Sequence, residues 1–267
     1  MTTIAILGVG MLGEALLGGL LRSGRSPGDV LVTERRPERV KALEDTYGVR
    51  VVSNAEAAAE ADVLMLAVKP QDVRALLEEC ASVISPERLV VSLAAGLTTQ
   101  TVEGALSPGA PVVRVMTNTP MLVAEAMSAI SPGTHAREEH LALTEELLTP
   151  VGRTIRVPEA QQDAVTALSG SGPAYFFYLI EAMTDAGILL GLPRQAAHDL
   201  LVQTITGAAA MLKQTGERPA VLREAVMSPA GTTITAIRVM EDHGVRAAML
   251  AALEAARDRS RALAAGG

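Results

Sequence analysis

Thr3-Ile4-Ala5-Ile6-Leu7 passes without a break into Gly8-Val9-Gly10-Met11-Leu12-Gly13, and residues 14–21 then follow a helical pattern. A short β-branched apolar run, three glycines spaced G-x-G-x-x-G and a helix, in that order, leave few folds open. They predict the opening strand–turn–helix of a parallel sheet. Gly8 permits the tight turn, Gly10 lets backbone approach a pyrophosphate, and Gly13 lets helix and strand pack closely. The same residues would also serve a glycine-rich turn that holds no ligand, so the rest of the chain has to decide.

Further apolar runs lie at residues 29–33, 48–52, 62–68, 89–93 and 111–116, each followed by polar or helical pattern. Runs near 126–130 and 154–157, with a helix over 136–148 between them, complete this half. Strands alternating with helices at these lengths predict an α/β fold built on a doubly wound parallel sheet. In such a sheet ligands sit beyond the carboxyl ends of the strands. That rule draws in Glu34, Arg35 and Arg36 after the second strand, Lys69 after the fourth, and Ala95 and Gly96 after the fifth, where small residues leave room for a ring. Arg35 and Arg36 suit the 2′-phosphate of NADPH, whereas Glu34 suits the free ribose hydroxyl of NADH. The reading leans to NADPH with NADH as the alternative. These charges would also make an ordinary solvated helix start, and Lys69 an ordinary solvated strand end.

After residue 158 the pattern is helical throughout, with helices predicted over 159–168, 173–190, 194–213, 219–226, 231–241 and 244–263. The chain is therefore expected to divide into a dinucleotide-binding domain, 1–158, and an all-α domain, 159–267. Leu168-Ser169-Gly170-Ser171-Gly172-Pro173-Ala174-Tyr175 should interrupt the helices, because its glycines and proline cannot continue one, and Pro173 fits the first turn of the next. The stretch is either a helix–helix turn or a helix N-terminus that offers N–H groups to an anion. Ser228-Pro229-Ala230-Gly231-Thr232-Thr233 poses the same choice: a capped helix start, or an anion nest made by the N–H groups of Gly231, Thr232 and Thr233 with two hydroxyls. Two such loops in a helical domain joined to a dinucleotide fold point to a small carboxylate. With aromatics at 2 %, Ala, Val, Leu, Ile and Met must form the core. Small residues such as Gly187, Gly191, Gly207 and Ala208 let helices approach closely. So much small, apolar helix is hard to bury within one chain, which predicts a homodimer through this half.

Other classes are disfavoured. Net charge is −7 with no basic block, so no nucleic-acid footprint is expected. Cys80 is the single cysteine and reads as a helix residue; it suits a reducing cytoplasm. His135, His140, His198 and His243 lack the spacing of a metal site and are expected at solvated helix positions. The apolar stretch 174–192 carries Glu181 and Asp185 and reads as a buried helix, not a membrane span. Thr2-Thr3 lead directly into the first strand, so no signal peptide is expected.

Taken together the residues resemble the pyrroline-5-carboxylate reductase family nearly end to end. The likeness is most specific at Ala61-Asp62-Val63 through Val68-Lys69-Pro70-Gln71 and at Leu168-Ser169-Gly170-Ser171-Gly172-Pro173-Ala174-Tyr175. It continues at Asp185-Ala186-Gly187, at Gly191-Leu192-Pro193, and at Ser228-Pro229 with Gly231-Thr232-Thr233. The resemblance implies a Rossmann domain and a helical dimerisation domain. It implies reduction of a cyclic imine carboxylate to proline, the last step of proline synthesis, with NADPH or NADH. Gly8, Gly10 and Gly13, with Met11 and Leu12 between them, would hold the pyrophosphate. Arg35, with Arg36 beside it, would meet the 2′-phosphate and Asn54 the adenosine ribose. Ala67, Val68, Lys69, Pro70, Ala95 and Gly96 would border the nicotinamide. Ser228 and the backbone of Gly231, Thr232 and Thr233 would hold the substrate carboxylate, with the Thr233 hydroxyl near the ring nitrogen as the catalytic group. Homodimers, further assembled into rings of dimers, are implied as well. The chain departs from the family pattern at Met11 and Leu12, where Asn then Met is usual. Thr117 stands where Pro is usual, Ala230 where Gly is usual, and Glu34 where many relatives carry a neutral polar residue. Two other readings remain: a β-hydroxyacid-type dehydrogenase, and a nucleotide-binding regulatory protein without turnover. The first needs a catalytic Lys early in the second domain, but Lys213, late in that domain, is the only Lys after Lys69.

Overall fold

The structure, a computed structural model, describes residues 2–264. Met1 and residues 265–267, which the two expected domain ranges include, lie outside the described residues.

Strand β1 (Ile4–Leu7) is buried on both faces, with every side chain at 0 % exposure. Only a central strand of a parallel sheet covered on both sides allows this. Its neighbours are β2 (Val30–Thr33) and β4 (Val63–Leu66), both parallel to it. With β3 (Arg50–Val51), β5 (Leu89–Ser92), β6 (Val112–Met116), β7 (Ala126–Pro132) and β8 (Gly152–Arg156) they form one sheet, ordered β3-β2-β1-β4-β5-β6-β7-β8. The chain leaves β1 toward β2 on one side and returns to β4 on the other. The crevice at that reversal is where a doubly wound fold takes its ligand.

Alternate residues of the strands feed opposite layers. Ile4, Ile6, Val32 and Met65 pack on Leu16, Leu17 and Leu20 of α1 (Met11–Arg22). Ala5, Leu7, Leu64 and Leu66 pack on α3 (Asn54–Glu60) through Ala57 and Ala58, and on α4 (Pro70–Cys80) through Val73, Leu76 and Leu77. Between them α2 (Pro37–Tyr47) starts on a proline and stops at Gly48 with φ +66°. Arg88 closes the carboxyl end of α3, its guanidinium donating to the carbonyls of Ala58, Ala59 and Ala61 at 2.5–2.6 Å. Cys80 ends α4 in the core, where burial pushes its thiol up to about 11.

Three local features differ from the sequence expectation. The sheet is parallel only as far as β6, and β7 runs antiparallel to it. Residues 117–125 between the two hold only a 3-10 turn, Thr119–Val123, before Ala126. A parallel crossover needs a dozen or more residues, so the strand must turn straight back. β8 then pairs parallel to β7, with the helix Glu138–Leu148 between them in sequence. At the start of that helix His140 is 18 % exposed and accepts the Arg137 N–H on Nδ1 at 2.9 Å, so it caps backbone and is not a plain solvated position. Finally, residues 159–170 are not one α-helix. They wind as a 3-10 turn (Glu159–Gln161), one α turn (Gln162–Val165) and a π turn (Thr166–Gly170), and Ser171 N–H donates to Thr166 O at 2.8 Å. The Ser/Gly stretch widens the helix instead of opening it. A Cβ on Gly170 would meet the Met116 methyl, the far end of a flexible side chain.

The described chain falls into two compact units. One holds the sheet and its helices up to Ser171, with the last helix from Ala256 on; the other is Gly172–Ala255. In the second unit the helices are Gly172–Leu189, Arg194–Thr215, Pro219–Ala225, Thr232–Asp242 and the beginning of Val245–Ala264. The first two form a hairpin around Gly191, φ +93°. Gly187 lets them touch, since a Cβ there would lie 2.9 Å from that of Ala197. Yet the helix Gly172–Leu189 buries only Gly172, Thr184 and Gly187 within the chain. Phe176, Phe177, Tyr178 and Leu189 are 55–88 % exposed. Large apolar side chains left exposed on a helix in this number suit contact with another chain. We expect Phe177→Asp combined with Leu189→Asp to reduce the mass measured by light scattering to that of one chain while leaving the helical circular dichroism in place.

Candidate functional site

Beyond the carboxyl ends of β1, β2 and β4 lies a cleft of about 730 Å³, inside the ~300–1,000 Å³ usual for small-molecule sites. Of the residues expected at a dinucleotide site, the cleft brings together Gly8, Gly10, Arg35, Arg36, Asn54, Ala67, Val68 and Lys69. Met11, Leu12, Gly13, Pro70, Ala95 and Gly96 are not among its lining residues. Met11 opens α1 and is 65 % exposed, Leu12 packs toward the core, and Gly13 is buried beneath the loop. Pro70 is the first residue of α4. Ala95 and Gly96 follow β5, and a Cβ on Gly96 would sit 3.9 Å from Leu263 Cβ in the last helix.

The three loop glycines have different physical reasons to be glycine. Gly8 has φ +92°, and a Cβ there would overlap Val68 Cγ1. A Cβ on Gly13 would lie 2.5 Å from the Gly8 carbonyl oxygen. Gly10 has nothing within 4 Å of its missing Cβ. Two glycines thus serve the protein's own packing, and the middle one faces open space in the cleft. Gly10 is also the N-cap of α1 and makes no side-chain cap bond, so the N–H groups of the first turn face the same space. This open backbone at a helix N-terminus fits a pyrophosphate. Thr33 pins the loop: its Oγ1 accepts from Gly8 N–H at 3.0 Å and its carbonyl from Val9 N–H at 3.2 Å. Sequence reasoning passed over Thr33, although a polar residue ending a buried apolar strand beside the glycines was the available signal. It also passed over Glu79, which accepts from the Asn54 amide at 2.9 Å and fixes that side chain in the cleft wall.

At the end of β2, Glu34 turns back on its own loop. Oε1 accepts from the N–H groups of Arg35 (2.8 Å) and Arg36 (3.1 Å) and from Arg36 Nε (3.2 Å). Oε2 accepts from Arg36 Nη2 at 2.9 Å. The side chain is only 9 % exposed, and the Arg36 guanidinium holds its carboxyl down at about 2. The stabilisation this brings is therefore present above the ordinary carboxylate range and is lost only as pH falls toward that value. Arg36 stands in an internal ion pair, whereas the Arg35 guanidinium has no partner among the described residues.

The remaining expected residues lie in the helical unit. Gly231 N–H donates to Ser228 O at 3.0 Å and closes a turn, and Gly231 is the N-cap of the helix Thr232–Asp242. It makes no side-chain cap bond, which leaves the N–H groups of Thr232 and Thr233 at an uncapped helix start. Ser228 and Thr232 are exposed and Thr233 half-buried. Such a start suits a carboxylate. A Cβ on Gly231 would overlap Ser228 Oγ. Ala230 adopts φ +56°, a left-handed conformation that costs a side-chain-bearing residue ~1–2 kcal/mol. Two outcomes are expected. Gly10→Ala folds with an unchanged Tm but loses dinucleotide affinity in calorimetric titration, whereas Gly8→Ala lowers the Tm itself. Ala230→Gly relieves the strain and raises stability by about 0.5–1 kcal/mol in denaturant melts.

Residues 159–263 match the family profile described as pyrroline-5-carboxylate reductase dimerisation, and residues 3–96 match that described as NADP oxidoreductase, coenzyme F420-dependent. A pyrroline-5-carboxylate reductase of Corynebacterium melassecola is 46 % identical, covering 98 % of this chain and 99 % of its own. The solved structure of a pyrroline-5-carboxylate reductase from Coxiella burnetii is 35 % identical and superposes with a TM-score of 0.93 over 98 % of both chains. That of Plasmodium falciparum pyrroline carboxylate reductase with NADP bound is 26 % identical, with a TM-score of 0.89 over 98 % of both chains. The fold, the glycine loop and the helical half thus carry one likeness along nearly the whole length, and the chain belongs to the pyrroline-5-carboxylate reductase family.

Proposed function

We propose that this chain reduces the C=N bond of 1-pyrroline-5-carboxylate to give L-proline, using NADPH, with NADH as a possible substitute. The likeness at 46 % identity over 98 % of the chain carries the reading, and the open backbone at Gly10 supports it. Bound in the cleft, the nicotinamide supplies the hydride. The protein's own task is then to place and polarise. Gly8, Gly10 and Gly13, with the start of α1, hold the pyrophosphate. Arg35 takes the 2′-phosphate, and Asn54, fixed by Glu79, borders the adenosine ribose. Val68, Lys69, Pro70, Ala95 and Gly96 edge the nicotinamide. Ser228 and the N–H groups of Thr232 and Thr233 receive the substrate carboxylate, on the turn that the Gly231 N–H closes against Ser228 O. The Thr233 hydroxyl donates to the ring nitrogen as it becomes an amine. A protonated imine is already electrophilic, so a neutral hydroxyl suffices and no strong acid is required. Positioning of this kind supplies ~7–11 kcal/mol of the barrier when reacting atoms are aligned.

The family profile over residues 159–263 describes dimerisation. We take the exposed face around Phe177 as its site, with rings of dimers as the larger assembly, and the buried lone Cys80 suits a reducing cytoplasm.

The test is loss of reduced-nicotinamide absorbance on adding pyrroline-5-carboxylate, with NADPH and NADH in parallel. Rapid oxidation is expected. Cofactor binding without oxidation would instead favour a nucleotide-binding protein lacking turnover. Thr233→Ala is expected to lower kcat by about ten- to a hundredfold, the worth of one hydrogen bond to a charged group, while the NADPH dissociation constant stays put; an unchanged kcat would remove Thr233 from the mechanism.

A further inference from the structure

We propose that Ser260 and Asp163 are positioning residues: their hydrogen bond, passed on through Leu263, holds the loop after β5 against the nicotinamide. The inference rests on the reading that Ala95 and Gly96 edge that ring. Gly96 has φ +75°, so the loop turns on a left-handed glycine. Its bare backbone lies beside the carboxyl end of the last helix. A Cβ on Gly96 would sit 3.9 Å from Leu263 Cβ and 4.0 Å from Ala264 N. Leu263 comes three residues after Ser260 and so shares its helix face. Ser260 is buried at 6 % exposure, and its Oγ donates to Asp163 Oδ1 at 2.7 Å. Arg261 Nε lies 3.9 Å from Asp163 Oδ2. A hydroxyl bonded to a carboxylate is among the stronger hydrogen bonds, and here it fixes the last turn of the helix.

Asp163 is a firm anchor because the chain around it is pinned to the sheet. The adjacent Gln162 is fully buried and donates from Nε2 to Ala129 O at 3.2 Å and to Ser131 Oγ at 2.8 Å, both on β7. Glu159, one turn earlier, accepts from the Thr99 N–H and Oγ1, both at 2.7 Å, and from Arg114 Nη1 at 3.2 Å. Thr99 opens the short helix Thr99–Glu103 that follows the loop. Residues 159–163 therefore brace the loop twice: directly at Thr99, and at Gly96 through Ser260 and Leu263. A loop fixed at one end only is free to shift beneath the ring. Hydride transfer does not tolerate that, since it needs reacting atoms ~3–3.5 Å apart.

The experiment compares the native chain with Ser260→Ala, Leu263→Ala, Asp163→Ala and Asp163→Asn. It reads kcat for NADPH oxidation, the fluorescence of bound NADPH, and calorimetric titration with adenosine 2′,5′-bisphosphate, which carries no nicotinamide. Ser260→Ala, Leu263→Ala and Asp163→Ala should each lower kcat about tenfold, short of the ~10²-fold that a 1 Å misplacement costs. They should also shift the bound NADPH emission while the bisphosphate dissociation constant holds. Asp163→Asn keeps an acceptor for the hydroxyl and should recover most of the rate lost in Asp163→Ala. Leu263, half exposed, tests the proposal even if Ser260→Ala fails to fold. Unmoved kcat and emission in the Leu263 and Ser260 variants would overturn it, and so would an equal loss of bisphosphate affinity, which marks general loosening. A native chain that binds the bisphosphate but does not oxidise NADPH would overturn the reductase reading, and this proposal with it.

Discussion

Everything in the sheet-bearing unit depends on how closely three backbones approach one another where β1 turns into α1. The Gly8 carbonyl, the Gly13 backbone and the Val68 side chain stand so near that a methyl group on either glycine has no place to go. Because α1 lies this low on the sheet, Leu16, Leu17 and Leu20 reach Ile4, Ile6 and Met65. The same closeness puts the start of α1 at the mouth of the crevice between β1 and β4. The core and the cleft are thus two results of one steric limit. Thr33 secures it from the next strand by taking both loop N–H groups that the turn would otherwise leave without partners.

The two halves of the chain meet the problem of burial by different routes. The first half encloses β1 between two helical layers and completes its core by itself. The second half is nearly all helix with few large side chains inside, and its aromatic residues face outward. Gly187 sits where two helices touch, against Ala197, whereas Gly207 has nothing within 4 Å of its missing Cβ. That economy of volume lets thin helices pack tightly, but it leaves apolar area that only another chain can cover. The candidate site divides in the same way: the first half offers open backbone at a helix N-terminus that fits a pyrophosphate, and the second an uncapped helix start that suits a carboxylate.

Much of this was legible in the residues. The apolar run before Gly8 and the glycine spacing located the crevice, because each glycine answers to a close approach that local sequence fixes. The helical half was legible from its lack of any β-branched run long enough for a strand. The reversal of β7 is not carried by strand pattern but by connection length, since the nine positions 117–125 are too few for a parallel crossover. The π turn at Thr166–Gly170 was missed for a subtler reason. Glycine and proline exclude a regular α-helix but not a wider winding, and the stretch lies against Met116, a neighbour distant in sequence. The engagement of Glu34 with Arg36 depends on rotamers, which no pattern of residue types reveals.

The open helix face of Gly172–Leu189 also changes what stability means for this chain. If part of the apolar surface is covered only by a second copy, unfolding releases partners as well as structure, and the equilibrium answers to mass action. Melting temperature then becomes a function of protein concentration, rising as the solution is made more concentrated. Dilution acts as a mild denaturant. In a cell, the level of expression would itself be one of the forces that hold the helices in place.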